Sequence, residues 1–279
     1  MMDHKRLYIS ADIEGVAGVV NTDQLTPDGF EYAEARRWMT AEVNAACEAA
    51  FDAGIEEIVV SDSHGNGQNL LLDALPKAVE VVRSWPRPLG MMEGVDAGRY
   101  DGALLIGYHT GATDMAGVLA HTMHGRGIRE IKLNGVTASE TLISAAIAGH
   151  FRVPILLASG DDAYAAHAAE LLKDVETVTT KRTLGFTSAQ MRSPHAVCEE
   201  IGEKVGAVLA RAGAPAPFEI SRTPIEFELR CAHRKAAENL GYLPGIERVD
   251  ACTVRTELDD IIDVSKMTMF LSTSGVLNG

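Results

Sequence analysis

Short apolar segments that resemble buried β-strands alternate with amphipathic stretches through the first two-thirds of the chain, and polar residues follow each apolar segment directly. This alternation constrains the fold most, because strands separated by helices pair in parallel and need helices on both faces of the sheet. The sequence therefore predicts an α/β fold with a mostly parallel sheet flanked by helices. Predicted strands are residues 6–11, 57–61, 102–108, 153–159 and 177–181, and predicted helices are residues 31–53, 139–149, 162–172 and 193–212.

The pattern changes after the Pro-rich segment GAPAP at residues 213–217. We expect a smaller α+β unit in the C-terminal part of the chain, with residues 1–190 as the larger domain and 191–279 as the smaller one. The boundary is expected near residues 190–217. In the smaller unit, strands are predicted at residues 219–230 and 249–256, and helices at residues 233–240 and 257–270.

Charge and composition exclude two classes of partner. The 279-residue chain has a net charge of -14 and no run of Lys or Arg, whereas a nucleic-acid binder needs a basic face. No segment reaches the roughly 18 consecutive apolar residues of a membrane span, and the N-terminus lacks the long apolar stretch of a signal peptide. The four cysteines show no C-x-x-C spacing, which is typical of free thiols in a reducing compartment. We therefore expect a cytoplasmic protein that binds neither nucleic acid nor membranes.

Acidic and imidazole side chains stand where the predicted strands end. Asp12 and Glu14 follow the first strand, His64 the second, His109 the third, and the pair Asp161 and Asp162 the fourth. Ligands of open α/β sheets bind outside the carboxyl ends of the strands. We therefore expect these side chains to face one crevice.

A divalent cation is one explanation of this pattern, and each motif alone has a simpler one. Asp12 and Glu14 project to the same side if the chain is extended, but a solvated acidic turn explains the pair equally well. A single histidine, such as His64 or His109, is more often structural. Together the four side chains favour a metal site, and an N/O ligand set suits zinc while tolerating manganese, cobalt or nickel.

Three further residues remain ambiguous from spacing alone. Glu140 begins an Ala-rich helix, so the local pattern favours a capping role beside Ser139. His121 and His124 are candidates for acid–base chemistry or for structural roles. The sequence contains no G-x-x-x-x-G-K-[ST], H-E-x-x-H or G-x-S-x-G motif, which argues against a phosphate loop, a helix-borne zinc protease site and a serine nucleophile elbow.

Several motifs, taken together, resemble the M55 metallopeptidases, a family of D-aminopeptidases. Residues 10–15 (SADIEG) fit the Ser-x-Asp-x-Glu-Gly signature of that family. The resemblance covers roughly residues 5–165 and continues through DSH at 62–64, MEG at 92–94, GYH at 107–109, GVLAHTM at 117–123 and GDD at 160–162. Ala120 and Thr122 stand where the family has serines.

The resemblance implies a centre of two zinc ions per chain. Asp12 would be shared by both ions, Glu14 and His64 would complete one site, and His109 and Glu140 the other. His121 matches the histidine that acts as nucleophile or general base in the family, and we expect Asp62 to orient His64.

The implied activity is hydrolysis of short peptides that begin with a D-amino acid such as D-alanine, by a metal-activated water or by a histidine. L-peptides, other small amides and phosphoesters are alternative substrates, and a solute-binding protein without activity is a further alternative. The resemblance also implies a ring-shaped homo-oligomer such as a decamer, which encloses the active sites.

Overall fold

A computed structural model describes residues 5–278, and it contains two sheets. The first has seven strands in the order β3-β2-β1-β4-β7-β8-β9, all parallel except β9, which runs antiparallel to β8. This arrangement confirms the predicted α/β fold. The strands of this sheet are β1 (Arg6–Ala11), β2 (Glu57–Asp62), β3 (Val79–Val82), β4 (Gly102–Ile106), β7 (Ile155–Asp161), β8 (Glu176–Gly185) and β9 (Ser188–Met191).

The second sheet is antiparallel and has five strands in the order β11-β12-β10-β5-β6. Its strands are β5 (Ile128–Leu133), β6 (Val136–Thr137), β10 (Ile225–Cys231), β11 (Glu247–Arg248) and β12 (Thr253–Leu258). The helices are α1 (Tyr32–Asp52), α2 (Glu140–His150), α3 (Asp162–Leu171), α4 (Pro194–Leu209), α5 (Arg234–Leu240) and α6 (Ile261–Thr273). In the described part of the chain, no helix is both long and apolar enough to cross a membrane.

Both faces of the first sheet are buried, as the apolar strands predict. Leu7 and Ile9 of β1 point to a core that includes Met39 of α1 and Ile201 of α4. The alternate residue, Tyr8, points to a second core, which contains α2, α6 and the second sheet. Side chains alternate along a strand, so β1 contributes to both cores.

Some strands were not predicted from the sequence: β3, β5, β6, β9 and β11. The most consequential is β5, since it pairs with β10 and so places residues 128–133 in the second sheet. In addition, α4, which lies after residue 190, packs against α1. The domain boundary near residues 190–217 stays a prediction.

Candidate metal centre

The carboxyl ends of β1, β2 and β4 bring four of the predicted side chains together, and the first turn of α2 adds a fifth. All five are at least 92% buried: Asp12, Glu14, His64, His109 and Glu140. They form two overlapping groups whose nitrogen and oxygen atoms lie within 4.8 Å of one another. We call Asp12, Glu14 and His64 the first triad, and Asp12, His109 and Glu140 the second triad.

His64 directs one ring nitrogen at the two carboxylates of the first triad. Its Nδ1 lies 3.2 Å from Asp12 Oδ1 and 3.0 Å from Glu14 Oε2, while its Nε2 lies 2.9 Å from the carbonyl oxygen of Leu25. A carbonyl oxygen only accepts, so Nε2 carries the proton in this contact. In the neutral imidazole the lone pair of Nδ1 therefore faces both carboxylates.

His109 repeats this arrangement in the second triad with its ring nitrogens exchanged. Its Nδ1 donates to the carbonyl oxygen of Thr110 at 2.8 Å. Its Nε2 lies 3.4 Å from Asp12 Oδ2 and 3.4 Å from Glu140 Oε2. Within the described residues, neither Asp12 Oδ2 nor His109 Nε2 has a hydrogen-bond partner, although both atoms are fully buried.

This geometry fits a divalent cation. Carboxylate oxygens and neutral imidazole nitrogens that face each other have no proton between them, and buried charge without a partner is costly. Burial alone would lower the pKa of His109, but the charges of Glu140, Glu14 and Asp12 raise it to about 10. Burial and the charge of Glu14 together raise the pKa of Asp12. The cluster thus binds positive charge, either as protons or as metal ions, and its ligand types suit zinc.

Glu140 does not cap α2, although its position in the sequence favours that role. Ser139 is the N-cap, and its hydroxyl accepts a hydrogen bond from the backbone N–H of Leu142 at 3.2 Å. The Glu140 carboxylate instead accepts the backbone N–H of Met123 at 2.6 Å through Oε1. Its other oxygen is left free to face His109.

His121 lies against both triads, at the edge of the cluster, and is about one-quarter exposed. Its ring stacks on that of His109, with 4.2 Å between centroids and 10° between planes. Nδ1 donates to the carbonyl oxygen of Leu119 at 2.9 Å, so Nε2 is free to accept a proton. Nε2 lies 3.9 Å from Glu14 Oε1 and 3.8 Å from Glu140 Oε1. His121 is therefore placed for acid–base chemistry beside the cluster.

Asp62 does not orient His64, so that prediction is wrong. Its carboxylate accepts the backbone N–H groups of Asn69 and Leu70 and the side-chain amide of Asn69. The Asn69 amide also donates to the carbonyl oxygen of His64 at 2.7 Å. Asp62 thus shapes the loop that carries His64, and the partner of the His64 ring is the Leu25 carbonyl.

Asp161 and Asp162 do not face the cluster, which corrects a second prediction. Asp161 is the N-cap of α3 and accepts the backbone N–H groups of Tyr164 and Val118. Asp162 accepts the backbone N–H of Thr183 at 2.7 Å and lines a different cavity. Both carboxylates have structural hydrogen bonds, which spacing alone does not distinguish from ligand positions.

A cavity of about 300 Å³ opens above the cluster. Its other lining residues come from distant segments: Ser63, Gly65, Trp85, Met91, Met123, His124, Met269, Ser272 and Thr273. The Trp85 ring stacks on the Arg87 guanidinium at 4.0 Å, and its Nε1 donates to the carbonyl oxygen of Gly65 at 2.8 Å. Nothing local in the sequence marks Met269, Ser272 and Thr273 as lining residues, because only the tertiary fold brings α6 to this cavity.

Comparison with known proteins gives one consistent family. The M55 peptidase family model, described as D-aminopeptidase, matches residues 5–270. A D-aminopeptidase of Bacillus subtilis (strain 168) is 29% identical over 268 residues, which is 96% of each chain. A solved structure, the Zn-dependent D-aminopeptidase DppA from Bacillus subtilis, a self-compartmentalizing protease, superposes with a TM-score of 0.91 at 28% identity and covers 98% of each chain.

Proposed function

The chain belongs to the M55 peptidase family of D-aminopeptidases, and we propose that it removes N-terminal D-amino acids of the D-alanine type from short peptides, with two zinc ions per chain. The observation that carries this proposal is the arrangement of the histidine nitrogens. His64, His109 and His121 each have one ring nitrogen bonded to a backbone carbonyl and the other facing carboxylates. Such a set of acceptors needs cations between them.

The first triad would hold one zinc ion and the second triad the other, with Asp12 shared. Bound zinc lowers the pKa of water to about 7 and polarises a carbonyl group. The orphaned atoms Asp12 Oδ2 and His109 Nε2 support the second site. The contacts of His64 with Asp12 and Glu14 support the first.

His121 acts as the general base in this proposal. Its free Nε2 takes a proton from the attacking water and later returns it to the departing amine, while Leu119 holds the ring in the required tautomer. The stacked ring of His109 limits rotation of the His121 side chain. A covalent acyl-histidine trapped during turnover would instead assign the attack to His121 itself.

The cavity fits a short peptide better than a folded protein. Its volume of about 300 Å³ is at the lower end of ordinary ligand pockets. The acidic cluster lies on one side and favours a free amino group, while Trp85, Met91, Met123 and Met269 offer apolar contacts to side chains. We also propose that the chain forms a closed homo-oligomer, since the solved relative is described as self-compartmentalizing.

The deciding experiment combines metal content with product release. Protein purified without chelators is analysed for zinc per chain. Free amino acid is measured from D-Ala-D-Ala and L-Ala-L-Ala, and released phosphate is measured from a phosphoester. Two zinc ions with D-selective release is the expected result. If the protein binds two zinc ions but hydrolyses the L-peptide, or only the phosphoester, the two-zinc centre is confirmed and the assignment of a D-peptide substrate is wrong. Failure to bind zinc would overturn the proposal.

A further inference from the structure

The loop that carries Asp12 and Glu14 is held by side chains more than by backbone pairing. This segment, residues 12–20, follows β1, and we call it the 12–20 loop. Its carbonyl groups at Glu14, Val16 and Val19 all accept hydrogen bonds from a single side chain, that of Lys181 in β8. A backbone segment without regular structure must find such partners when it is buried.

Lys181 is fully buried and uses all of its donors on these carbonyls. Its Nζ lies 2.5 Å from Glu14 O, 2.9 Å from Val16 O and 2.6 Å from Val19 O. An ammonium group has three N–H donors, so the three contacts satisfy it completely. Within the described residues no carboxylate forms an ion pair with it, and its exposed fraction is 0%. A buried cation that binds only carbonyl groups is uncommon, because charge is costly to bury.

Neighbouring contacts leave the 12–20 loop little room to move. Thr180 donates to the carbonyl oxygen of Gly15 at 2.5 Å, and the buried Glu42 carboxylate accepts the N–H of Ala17 at 2.8 Å. On the opposite side, a Cβ atom at Gly15 would lie 2.0 Å from the carbonyl oxygen of Tyr108. The loop is therefore packed between the end of β4 and the side chains of β8.

We propose that Lys181 is a positioning residue that sets the affinity of the first triad for its metal ion. By fixing the carbonyl of Glu14, it fixes the peptide from which the Glu14 side chain reaches His64. It makes no hydrogen bond to His109 or Glu140, whose orientations depend on Thr110 and Met123. The inference rests on the proposed two-zinc centre and goes beyond it, since it assigns unequal dependence on Lys181 to the two sites.

A purely structural lysine would behave differently on substitution. Its loss would lower the stability of the whole protein and leave the zinc affinities of the folded molecules unchanged. A positioning residue instead changes the affinity of one zinc ion relative to the other. Substitution of groups that orient metal ligands typically costs 10- to 100-fold in metal affinity or activity.

The experiment is a zinc titration of full-length Lys181→Met against a competing chromophoric chelator. Methionine keeps the length and apolar stem of the side chain and removes its charge and donors. We expect one zinc ion to bind on the order of 10-fold more weakly and the other to be unchanged. For D-Ala-D-Ala we expect kcat at saturating zinc to fall more than KM changes.

Lys204→Met is the matched control. Lys204 also bonds a backbone carbonyl of β8, that of Thr177 at 2.6 Å, and it pairs with Glu176 and Glu200, away from the 12–20 loop. We expect this variant to bind both zinc ions with wild-type affinity. Thermal unfolding of the metal-free proteins measures how much each substitution destabilises the fold.

Two different failures can be told apart. Wild-type protein that binds no zinc overturns the proposed function. Wild-type protein that binds two zinc ions, with Lys181→Met binding both equally well, overturns only the inference about Lys181. If Lys181→Met does not fold, Thr180→Val removes one bond to the same loop and should weaken the same zinc ion to a smaller extent. Unchanged zinc affinities in that variant would then overturn the inference.

Discussion

The two triads share Asp12 but are held in place by different means. The first triad depends on a loop whose carbonyl groups are bound by Lys181, more than 160 residues away in the chain. The second triad depends on backbone groups near its own ligands, the carbonyl of Thr110 and the N–H of Met123. We therefore expect the geometry of the first triad to be sensitive to substitutions in remote segments. The geometry of the second triad should depend mainly on residues next to its ligands.

The shared carboxylate gives the largest expected effect. Asp12→Asn removes a ligand from both triads and leaves a neutral amide between His64 and His109. We expect loss of both zinc ions and a fall in kcat/KM on the order of 10⁴-fold, which corresponds to about 5 kcal/mol of transition-state stabilisation. Zinc analysis and peptide kinetics measure this. Asp162→Asn is the control, because Asp162 also follows a strand but lies outside the cluster; equal losses in both variants would contradict the assignment.

Removal of His121 tests whether the chemistry can be separated from both triads. Because His121 Nε2 comes no closer than 3.8 Å to the carboxylates of the triads, we expect His121→Ala to keep both zinc ions. Loss of a general base should lower kcat on the order of 10³-fold. Metal analysis beside kcat measures both effects. If His121→Ala loses zinc, His121 is itself a metal ligand, in addition to the five residues of the two triads.

The second triad is tested by a pair of neighbouring substitutions. Glu140→Gln should release one zinc ion and lower kcat/KM on the order of 10²-fold, since the amide is a weak zinc ligand. Ser139→Ala removes the cap of α2 and should cost about 1 kcal/mol of stability while both zinc ions remain. Chemical denaturation and zinc analysis distinguish the two. If Glu140→Gln instead kept both zinc ions and lowered only the stability, Glu140 would be a helix-capping residue and not a metal ligand.

The smallest expected effect on activity concerns the support beneath the first triad. Burial raises the pKa of Glu42 to about 8, and its backbone hydrogen bond to Ala17 offsets this only in part. An unfolded glutamate titrates near 4.5, so between about pH 4.5 and pH 8 the folded state holds a proton that the unfolded state releases. The contribution of Glu42 to the free energy of unfolding is therefore fully present at low pH. As the pH rises through this window it declines by about 1 kcal/mol per pH unit.

Glu42→Gln should remove that decline. Stability measured by urea unfolding at several pH values is expected to fall less steeply with pH in the variant than in the wild-type protein. Glu203→Gln is the control for general charge effects. Glu203 lies in α4, and α4 packs against α1, the helix that contains Glu42. Parallel pH profiles for wild type and Glu42→Gln would show that Glu42 is ionised in the folded protein.

The sequence predicted five of the seven strands of the first sheet and the strand-end ligands, because both leave a signal in residue type. Apolar strands followed by Asp12, His64 and His109 are visible in the chain, and their convergence follows from parallel pairing. Glu140 is different. Its local signal favours a helix cap, and only the resemblance to a family identified it as a ligand before the fold placed it beside His109.

Contacts that depend on backbone groups could not be predicted. The carbonyl of Leu25 orients His64, yet a carbonyl group exists at every position and carries no residue-specific signal. Strand β5 was missed because its charged residues interrupt the apolar pattern, and its partner β10 lies far along the chain. Lys181 ends a predicted strand, but its reach to the 12–20 loop emerges only from the tertiary fold.

The pairing of β5 with β10 also affects the order in which the second sheet can form while the chain is being synthesised. Leu133 leaves the ribosome well before Phe227, its partner in the second sheet, so β5 remains without that neighbour while the intervening segments are made. The hairpin of β5 and β6 leads directly into Glu140. The last third of the chain supplies none of the five ligands and not His121, yet it supplies β10, the sheet partner of the strand that leads towards Glu140.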